Sequence, residues 1–252
     1  MRIKFNKEIE FVLKKLFIPE KFLLKRRIDR SIKGNYEQEL QILDKIVKKD
    51  LDSIDVGVYR GVYSYSLSNL SKHVHAFEPN PILFPYLKKN LKKLIKNMTL
   101  YNLALSDKNG ETDLKIPKRF KTLNEDNYEE KYKLGSATIH EKNLLGNDEY
   151  ITLKVKTAKL DDIIESKGIG FLKIDVEGHE KNVLEGGINL IKKNKPNLVI
   201  EIEERHTSDK VENIINFVNS LGYKSYFFQN NQLTKTDRLI DFKSKNNFIF
   251  LN

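Results

Sequence analysis

The amino-terminal part of the chain carries hydrophobic residues at helical spacing. Apolar residues recur every three or four positions from Phe5 to Phe17, and the basic stretch over residues 19–30 continues the pattern. A further run at the same spacing covers residues 36–50, after a short break. These patterns predict an amino-terminal helical extension over residues 1–49.

From residue 51 onwards, short apolar runs alternate with amphipathic helical segments. Strands are predicted at "LDSIDVGV", "KHVHAFEPN", "MTLYNLALSD", "GETDLKIP", "YITLKVKT", "GFLKID" and "PNLVIEIE", with closing strands at "KSYFFQN" and "NNFIFLN". Helices are predicted over "VYSYSLSNLS", "PILFPYLKKNLKKLIKN", "HEKNVLEGGINLIKKN" and "VENIINFVNSLGY". This alternation is typical of a doubly wound parallel sheet, so we predict one α/β domain over residues 50–252. The polar stretch over residues 118–147 predicts a long loop or lid.

The composition fits a globular protein and excludes several kinds of site. The chain has 252 residues, of which 39% are hydrophobic, so it can bury a sizeable core. It contains no Cys, which excludes a disulfide framework, a thiolate zinc site and a cysteine nucleophile. The start lacks the apolar stretch of a secretory signal, and no segment approaches the roughly 18 apolar residues of a membrane span. We therefore expect a cytoplasmic protein.

The formal net charge of +10 favours anionic partners. Such partners include nucleic acid, a nucleotide-sugar diphosphate and an acidic membrane surface. The basic run "RRIDR" and the pair Lys118-Arg119 could hold a diphosphate, although charge runs are more often solvated faces. The amphipathic stretch over residues 19–30 has two readings: it packs on the domain, or it contacts phosphate or a membrane surface.

The segment "DVGVYRG" joins the first predicted strand to its helix and carries the first chemical signature. Gly57 and Gly61 allow the backbone to approach a ligand and to open a helix amino terminus towards it. Glu78 ends the next strand, where an acid commonly binds the two ribose hydroxyls of an adenosine. The middle glycine of a dinucleotide fingerprint is replaced by Tyr59, and Asp55 would repel phosphate but suit a sulfonium. The pattern therefore favours S-adenosylmethionine over NAD.

The segment "FLKIDVEGHEKNVLEGG" places three acids and an imidazole where a buried strand ends. The like charges of Asp175, Glu177 and Glu180 would repel one another unless a cation lies among them. His179 is a candidate general base because imidazole titrates near neutral pH. In the alternative reading, His179 is a helix-start residue bonded to an acid, and Glu177 and Glu180 cap the helix.

Asp175 and Glu201 end two strands that are adjacent in the usual order of such a sheet. Together with Glu203 or Glu177 they could bind a divalent cation, since hard cations prefer carboxylates. The alternative is that Asp175 contacts only the substrate or the cofactor. The polar loop supplies three candidate substrate contacts, which could also belong to a solvated loop: Ser136, Thr138 and His140.

Seven of these segments resemble, in the same order, motifs of FkbM-type methyltransferases. They are "DVGVYRG", "HAFEPNP", "NLALSD", "GSATI", "VKTAKLDDII", "FLKIDVEGHEKNVLEGG" and "PNLVIEIE". The resemblance covers about residues 36–203. It implies a class I methyltransferase fold, a Rossmann-like and mostly parallel sheet of seven strands. It also implies S-adenosylmethionine as the donor and O-methylation of a sugar or another small-molecule hydroxyl.

The resemblance also implies roles for single residues. Asp55 and the two glycines form the cofactor loop, Glu78 holds the ribose, and Asp175 closes the pocket beside the reactive methyl group. The family often has Ala-Asn where this chain has Val58-Tyr59, and that Asn is expected to contact the amino-acid end of the cofactor. The full set of implied cofactor contacts is Asp55, Gly57, Gly61, Tyr63, Ser64, Glu78, Pro79, Ala104 and Asp175.

The leading hypothesis is an O-methyltransferase that modifies a sugar or nucleotide-linked sugar for a surface polysaccharide or glycan. Orientation of the hydroxyl lowers the barrier to the displacement, and a base must take the hydroxyl proton. The charge suggests an RNA or DNA methyltransferase as the alternative, but the chain lacks an Asn/Asp-Pro-Pro-aromatic motif and a cysteine nucleophile. A third possibility is a non-catalytic adenosine-binding or membrane-associated module on the same fold.

Overall fold

A computed structural model describes residues 18–34, 37–118, 132–140, 149–165, 168–203, 210–238, 242 and 245–252 of the chain. The helical pattern between Phe5 and Phe17 and the basic residue Arg119 lie outside the described residues. Within them, none of the helices is both long and apolar enough to cross a lipid bilayer.

The elements follow one another largely as the hydrophobic pattern predicts. The first half contains α1 (Glu20–Lys33), α2 (Leu43–Ile46), β1 (Asp52–Val56), α3 (Val62–Ser68), β2 (Val74–Phe77), α4 (Phe84–Leu94), β3 (Met98–Tyr101), β4 (Ala104–Leu105) and β5 (Gly110–Pro117). The second half contains β6 (Tyr150–Ala158), α5 (Leu160–Ile163), β7 (Ile169–Ile174), α6 (Glu180–Gly186), α7 (Ile188–Asn194), β8 (Asn197–Glu201), α8 (Val211–Ser220), β9 (Lys224–Gln229), β10 (Gln232–Lys235) and β11 (Asn247–Leu251). Short 3₁₀ turns cover Gln38–Ile42, Leu134–Ser136 and Thr236–Arg238.

The main sheet has the strand order β10-β9-β11-β8-β7-β1-β2-β3. The strands from β3 to β8 in this order run parallel, whereas β11, β9 and β10 pair antiparallel. The sheet therefore has eight strands and not seven, because β9 turns back into β10 as an edge hairpin that the hydrophobic pattern did not reveal. The carboxyl ends of β1, β2, β7 and β8 meet at one edge, where ligands of open α/β sheets bind.

The stretch predicted as one third strand, "MTLYNLALSD", belongs to two sheets. Its first part is β3, at the edge of the main sheet, and its second part is β4, which pairs in parallel with β6. β5 pairs antiparallel with β6, so β4, β6 and β5 form a small second sheet. The predicted long loop connects β5 to β6, and we call its described residues 132–140 the insert.

The stretch "HEKNVLEGGINLIKKN" forms two helices and not the single helix predicted. The backbone lies close to other elements at the junction, since a Cβ atom on Gly186 would come within 1.9 Å of the Ser106 carbonyl oxygen. The carboxylate of Asp161 then accepts hydrogen bonds from the backbone amides of Asn189 and Leu190, at 3.0 and 2.8 Å. These bonds satisfy donors at the start of a new helix, α7.

Two apolar cores lie on the two faces of the main sheet, so its central strands are buried on both sides. β7 shows this most clearly, because all six of its residues are buried. α1 packs on α4 and buries Leu24 and Ile28. The second predicted helix, over residues 36–50, is shorter than expected and consists of the 3₁₀ turn at Gln38–Ile42 followed by α2.

Candidate functional site

The loop after β1 requires glycine at position 57 and favours it at position 61. Gly57 has a φ of +86°, and a Cβ atom there would lie 1.9 Å from the carbonyl oxygen of Asp175. Gly61 has a φ of +75°, and a Cβ atom there would lie 2.6 Å from the Leu91 side chain. The amide of Asp175 also donates to the Val56 carbonyl at 3.0 Å. The glycine loop and the end of β7 are therefore in direct backbone contact.

Glu78 is held beside this loop by two backbone amides. Its Oε2 accepts from the amide of Tyr59 and its Oε1 from the amide of Asn80, each at 2.9 Å. The side chain is 6% exposed, and burial raises its pKa to about 7. Tyr59 has a φ of +47°, a left-handed conformation that costs a non-glycine residue on the order of 1 kcal/mol. Strained backbone of this kind is concentrated at functional sites.

The loop, Glu78 and the end of β7 surround one narrow pocket. The insert forms the opposite wall through Leu134, Ala137 and their neighbours. The cavity that they enclose measures about 80 Å³. Six of the predicted site residues line the pocket: Gly57, Glu78, Pro79, Ala104, Asp175 and Glu177.

The remaining predicted cofactor residues lie behind the loop. Asp55 is fully buried, and its Oδ2 accepts a hydrogen bond from the Ser64 hydroxyl. Its Oδ1 is buried and accepts no hydrogen bond from the described residues. Gly61 begins α3, and the ring of Tyr63 in that helix faces the end of β7. These residues support the loop and do not line its cavity.

Lys173 is the cation among the acids, and the sequence reasoning missed it. Its ammonium donates to Asp175 Oδ2 at 2.9 Å and to the Gly57 carbonyl at 3.2 Å, and it lies 3.8 Å from Asp55 Oδ1. The ring of Tyr63 lies 4.9 Å away, within cation–π distance. The sequence signal for Lys173 was a lysine within an otherwise apolar strand, two residues before Asp175. Positions two apart lie on the same face of a strand, so the two side chains could be expected to meet.

The register of the sheet explains this cluster. Asp55 on β1 pairs directly with Lys173 on β7, so their side chains stand side by side. Burial would lower the pKa of Lys173, but Asp175, Asp55 and Glu37 outweigh it and raise the pKa overall. The pKa of Glu37 is raised by its own burial, against the opposing effect of Lys173. The ammonium therefore stays charged at 4% exposure.

Glu201 ends β8 next to this cluster. Burial and then the charge of Asp175 raise the pKa of Glu201 to about 8, so its carboxyl group carries a proton at neutral pH. The sequence reasoning placed a metal among Asp175, Glu201 and Glu203. Over the part of the chain that the structure describes, no group of three or more His, Asp or Glu side chains could hold a metal ion. The Lys173 ammonium supplies the positive charge there.

Thr138 connects the insert to the turn after β7. Its side chain is 3% exposed, and its hydroxyl donates to the carbonyl of Glu177 at 2.6 Å and accepts from the amide of His140 at 3.0 Å. Glu177 has a φ of +54°, so this bond holds a strained residue. Thr138 is therefore buried in the structure, and Ser136 lies in the 3₁₀ turn without lining the pocket.

His179 and His140 line a second cavity of about 420 Å³, on the far side of the insert residue Ile139. His179 Nε2 lies 2.9 Å from the Ser106 hydroxyl, which donates to Asp107 at 2.9 Å, so the imidazole is the donor to Ser106. Burial lowers the pKa of His179 to about 4, so the ring is neutral at pH 7. The predicted base thus lies in a different cavity from Asp175.

Glu180 has a local role at the start of α6. Its Oε1 accepts a hydrogen bond from the amide of Gly178 at 2.8 Å, and the side chain is 2% exposed. Burial raises its pKa to about 7. This bond stabilises the sharp turn between Asp175 and the helix and does not cap the helix, because Gly178 precedes the N-cap residue His179.

The profile of the family described as the methyltransferase FkbM domain matches residues 55–225, more than half of the chain. The match begins at Asp55, near the end of β1, and ends in β9. It confirms the resemblance drawn from the motifs. No curated protein matches the chain.

One solved structure, with a TM-score above 0.5, confirms the class I methyltransferase fold. A crystal structure of an FkbM methyltransferase from Methylobacillus flagellatus superposes with a TM-score of 0.51 at 15% identity, over 84% of this chain and 50% of that one. This chain therefore spans half the length of that protein. A Geobacter metallireducens precorrin-6y C5,15-methyltransferase gives a TM-score of 0.43 at 12% identity, over 86% and 87% of the two chains. A Streptococcus mutans protein solved in complex with SAH gives 0.47 at 13% identity, over 85% and 94%.

Proposed function

We propose that this chain, which belongs to the FkbM methyltransferase family, transfers a methyl group from S-adenosylmethionine to a hydroxyl group of a small molecule. The proposed acceptor is a sugar or a nucleotide-linked sugar. One observation carries the proposal: Gly57, Glu78 and Asp175, from three different strand ends, line a single pocket. That combination offers a close backbone approach, an acceptor for ribose hydroxyls and an acid near the reacting groups.

The residues present fit the proposed cofactor. Gly57 lets the loop pack directly against the Asp175 carbonyl while the loop still lines the pocket. Each Glu78 oxygen accepts one backbone amide and retains a second lone pair for a ribose hydroxyl. Asp175 and Glu177 line the pocket and Lys173 does not, which suits a cationic ligand. When bound, S-adenosylmethionine supplies an activated methyl group.

In this proposal Asp175 takes the proton of the acceptor hydroxyl. Asp175 lines the pocket that contains Glu78. His179 lines the second cavity, where its Nε2–H group donates a hydrogen bond to the Ser106 hydroxyl. Lys173 positions the Asp175 carboxylate through the 2.9 Å hydrogen bond. A hydroxyl acceptor needs such a base because a neutral alcohol is a poor nucleophile.

The first test measures binding and methyl transfer separately. Calorimetry with S-adenosylhomocysteine (SAH) tests the cofactor, and mass spectrometry after incubation with S-adenosylmethionine and a panel of nucleotide-sugars tests the acceptor. Saturable binding together with a methylated sugar would support the proposal, and absence of SAH binding would refute it. Methylation of added tRNA, with no methylated sugar, would favour a nucleic-acid methyltransferase instead.

The second test distinguishes the two candidate bases. We expect Asp175→Asn to lower kcat by about 10² or more with little change in SAH affinity, since general bases contribute on the order of 10²–10⁴. His179→Ala should leave kcat within a few-fold of the unsubstituted protein. The opposite pattern would return the base role to His179.

A further inference from the structure

Most of the net charge of the protein lies on two helices that pack together. α1 carries six Lys or Arg residues and two acids, and α4 carries four Lys residues and no acid, so the pair has a net charge of +8. The whole chain has a formal net charge of +10. The two helices are therefore the main source of the basic character that the composition shows.

The cations of this helix pair are exposed, and the acids are already paired. We call the exposed side of the pair the basic face, and its residues are Phe22, Arg26, Arg30, Lys33, Lys88, Lys89, Lys92 and Lys93. Glu20 pairs with Lys89 at 2.9 Å, and Asp29 pairs with Lys25 within α1. Glu20 offsets the charge of Lys89, and the basic face keeps six further cations, so its net charge is positive.

One large apolar side chain stands among these cations. Phe22 lies in the first turn of α1 and is 50% exposed, one of three large hydrophobic side chains that are exposed among the described residues. The ammonium of Lys21 lies 4.9 Å from its ring. On α1 the exposed residues Phe22, Arg26 and Arg30 follow one another at intervals of four, so they form a single stripe. Clusters of basic residues on an amphipathic helix are typical of surfaces that bind anionic lipids, and an exposed Phe beside them adds an apolar contact.

We propose that the basic face docks on an anionic lipid surface, with Phe22 entering the headgroup region. Clustered cations next to one exposed aromatic fit a bilayer, where lipid phosphates attract the cations and the acyl boundary accepts the ring. Single-stranded nucleic acid is the competing polyanion, but its binding depends on several aromatic side chains on which bases stack. Among the described residues, Phe22 is the one exposed aromatic on this face, so the observations favour lipid. This inference does not depend on the proposed methyl transfer.

Vesicle sedimentation with the full chain tests the proposal. The variant Lys92→Glu/Lys93→Glu reverses two charges in the last turn of α4. The control variant Lys192→Glu/Lys193→Glu reverses an exposed Lys-Lys pair in the last turn of α7, so both variants change the net charge equally. We expect the first variant to bind phosphatidylglycerol-containing vesicles at least about tenfold more weakly, and the control to bind like the unsubstituted protein. Vesicles of phosphatidylcholine alone should bind neither the two variants nor the unsubstituted protein.

Phe22→Ala tests the apolar contact at constant charge. We expect it to weaken vesicle binding several-fold while circular dichroism and SAH affinity stay unchanged. Equal weakening by both Lys variants would show a general charge effect and overturn the proposed surface. No binding of the unsubstituted protein to anionic vesicles would also overturn it. Binding to tRNA that is lost only in Lys92→Glu/Lys93→Glu, without vesicle binding, would assign the face to nucleic acid.

Discussion

Lys173 shows how a single buried residue can determine the geometry of a site. Its ammonium connects the end of β7 to the glycine loop, through Asp175 on one side and the Gly57 carbonyl on the other. The ordinary reading of "GFLKID" as a buried strand is correct, yet it hides the residue that holds the acids together. A charged group can be buried in such a strand only because partners surround it.

Lys173→Met should destabilise the protein strongly. The substitution leaves Asp55 and Asp175 without their cation, and breaking a buried ion pair typically costs about 3–5 kcal/mol. For a chain of this size we expect the melting temperature to fall by about 10 °C. The control is Lys154→Met, which removes an exposed pair with Asp113 at 2.7 Å and should change the melting temperature little. Similar losses in both variants would contradict the role of Lys173.

Glu78 links cofactor affinity to pH. With a pKa of about 7, Glu78 is mostly protonated at pH 6 and mostly ionised at pH 8. The ionised form offers lone pairs to both ribose hydroxyls, so SAH affinity should rise about tenfold between pH 6 and pH 8. Glu78→Gln should bind SAH at least about tenfold more weakly at pH 8 and lose this pH dependence. Calorimetry on Glu185→Gln, an exposed acid on α6, provides the control.

At the scale of elements, the close approach of the glycine loop to β7 is the feature that joins two distant motifs. Gly57→Ala and Gly168→Ala both place a side chain at a positive φ, +86° and +78°. At Gly168 no atom lies within 4 Å of the added Cβ, so we expect a loss of about 1–2 kcal/mol and normal SAH binding. At Gly57 the Cβ meets the Asp175 carbonyl, so stability should fall further and SAH binding should be lost. Thermal unfolding and calorimetry on both variants would refute this if the losses were equal.

Helices and strands could be predicted where the hydrophobic pattern is simple, as in a continuous apolar strand or a helix with one apolar face. β7 is buried on both faces and α8 has one apolar face, so both follow directly from the pattern. The split into β3 and β4 was not predictable, because the same run of residues pairs with two different partners. The break between α6 and α7 depends on contacts with Ser106 and Asp161, which lie far away in the sequence. Such tertiary contacts override local propensity.

In the candidate site, too, some features could be predicted from the sequence and others could not. Gly57, Glu78 and Asp175 could be found because each follows a strand whose end lies at a known edge of the sheet. The contacts of individual side chains could not be predicted in this way. From the sequence, His179 and Thr138 were expected to line the pocket. The structure instead places His179 against Ser106 and Thr138 against the Glu177 carbonyl. Sequence position gives the strand end, whereas side-chain direction depends on packing.

For the molecule as a whole, buried carboxyl groups should lower stability as the pH rises. Folding raises the pKa values of Glu78 and Glu180 to about 7 and that of Glu201 to about 8, above an ordinary value near 4.5. The stability that these groups provide is complete below pH 4.5 and is lost as the pH rises through 7–8. The lowered pKa of His179 acts in the opposite direction, but its effect is complete above about pH 6.5.

We therefore expect the melting temperature to fall by about 5 °C between pH 6.5 and pH 8.5. Glu201→Gln should make this fall shallower, because the neutral amide has no proton to lose. Differential scanning fluorimetry over this pH range provides the measurement. A melting temperature that rises with pH would contradict the assigned protonation of these three groups.

The excess of acids over Lys173 also bears on turnover. Methyl transfer converts a positively charged sulfonium donor into a neutral thioether, so the ligand loses its charge within a pocket that favours cations. S-adenosylhomocysteine should therefore dissociate more readily than S-adenosylmethionine does. This difference would limit product inhibition. On the proposed function, the carboxylates around Asp175 therefore bind the charged donor more tightly than the neutral product and favour exchange of one for the other.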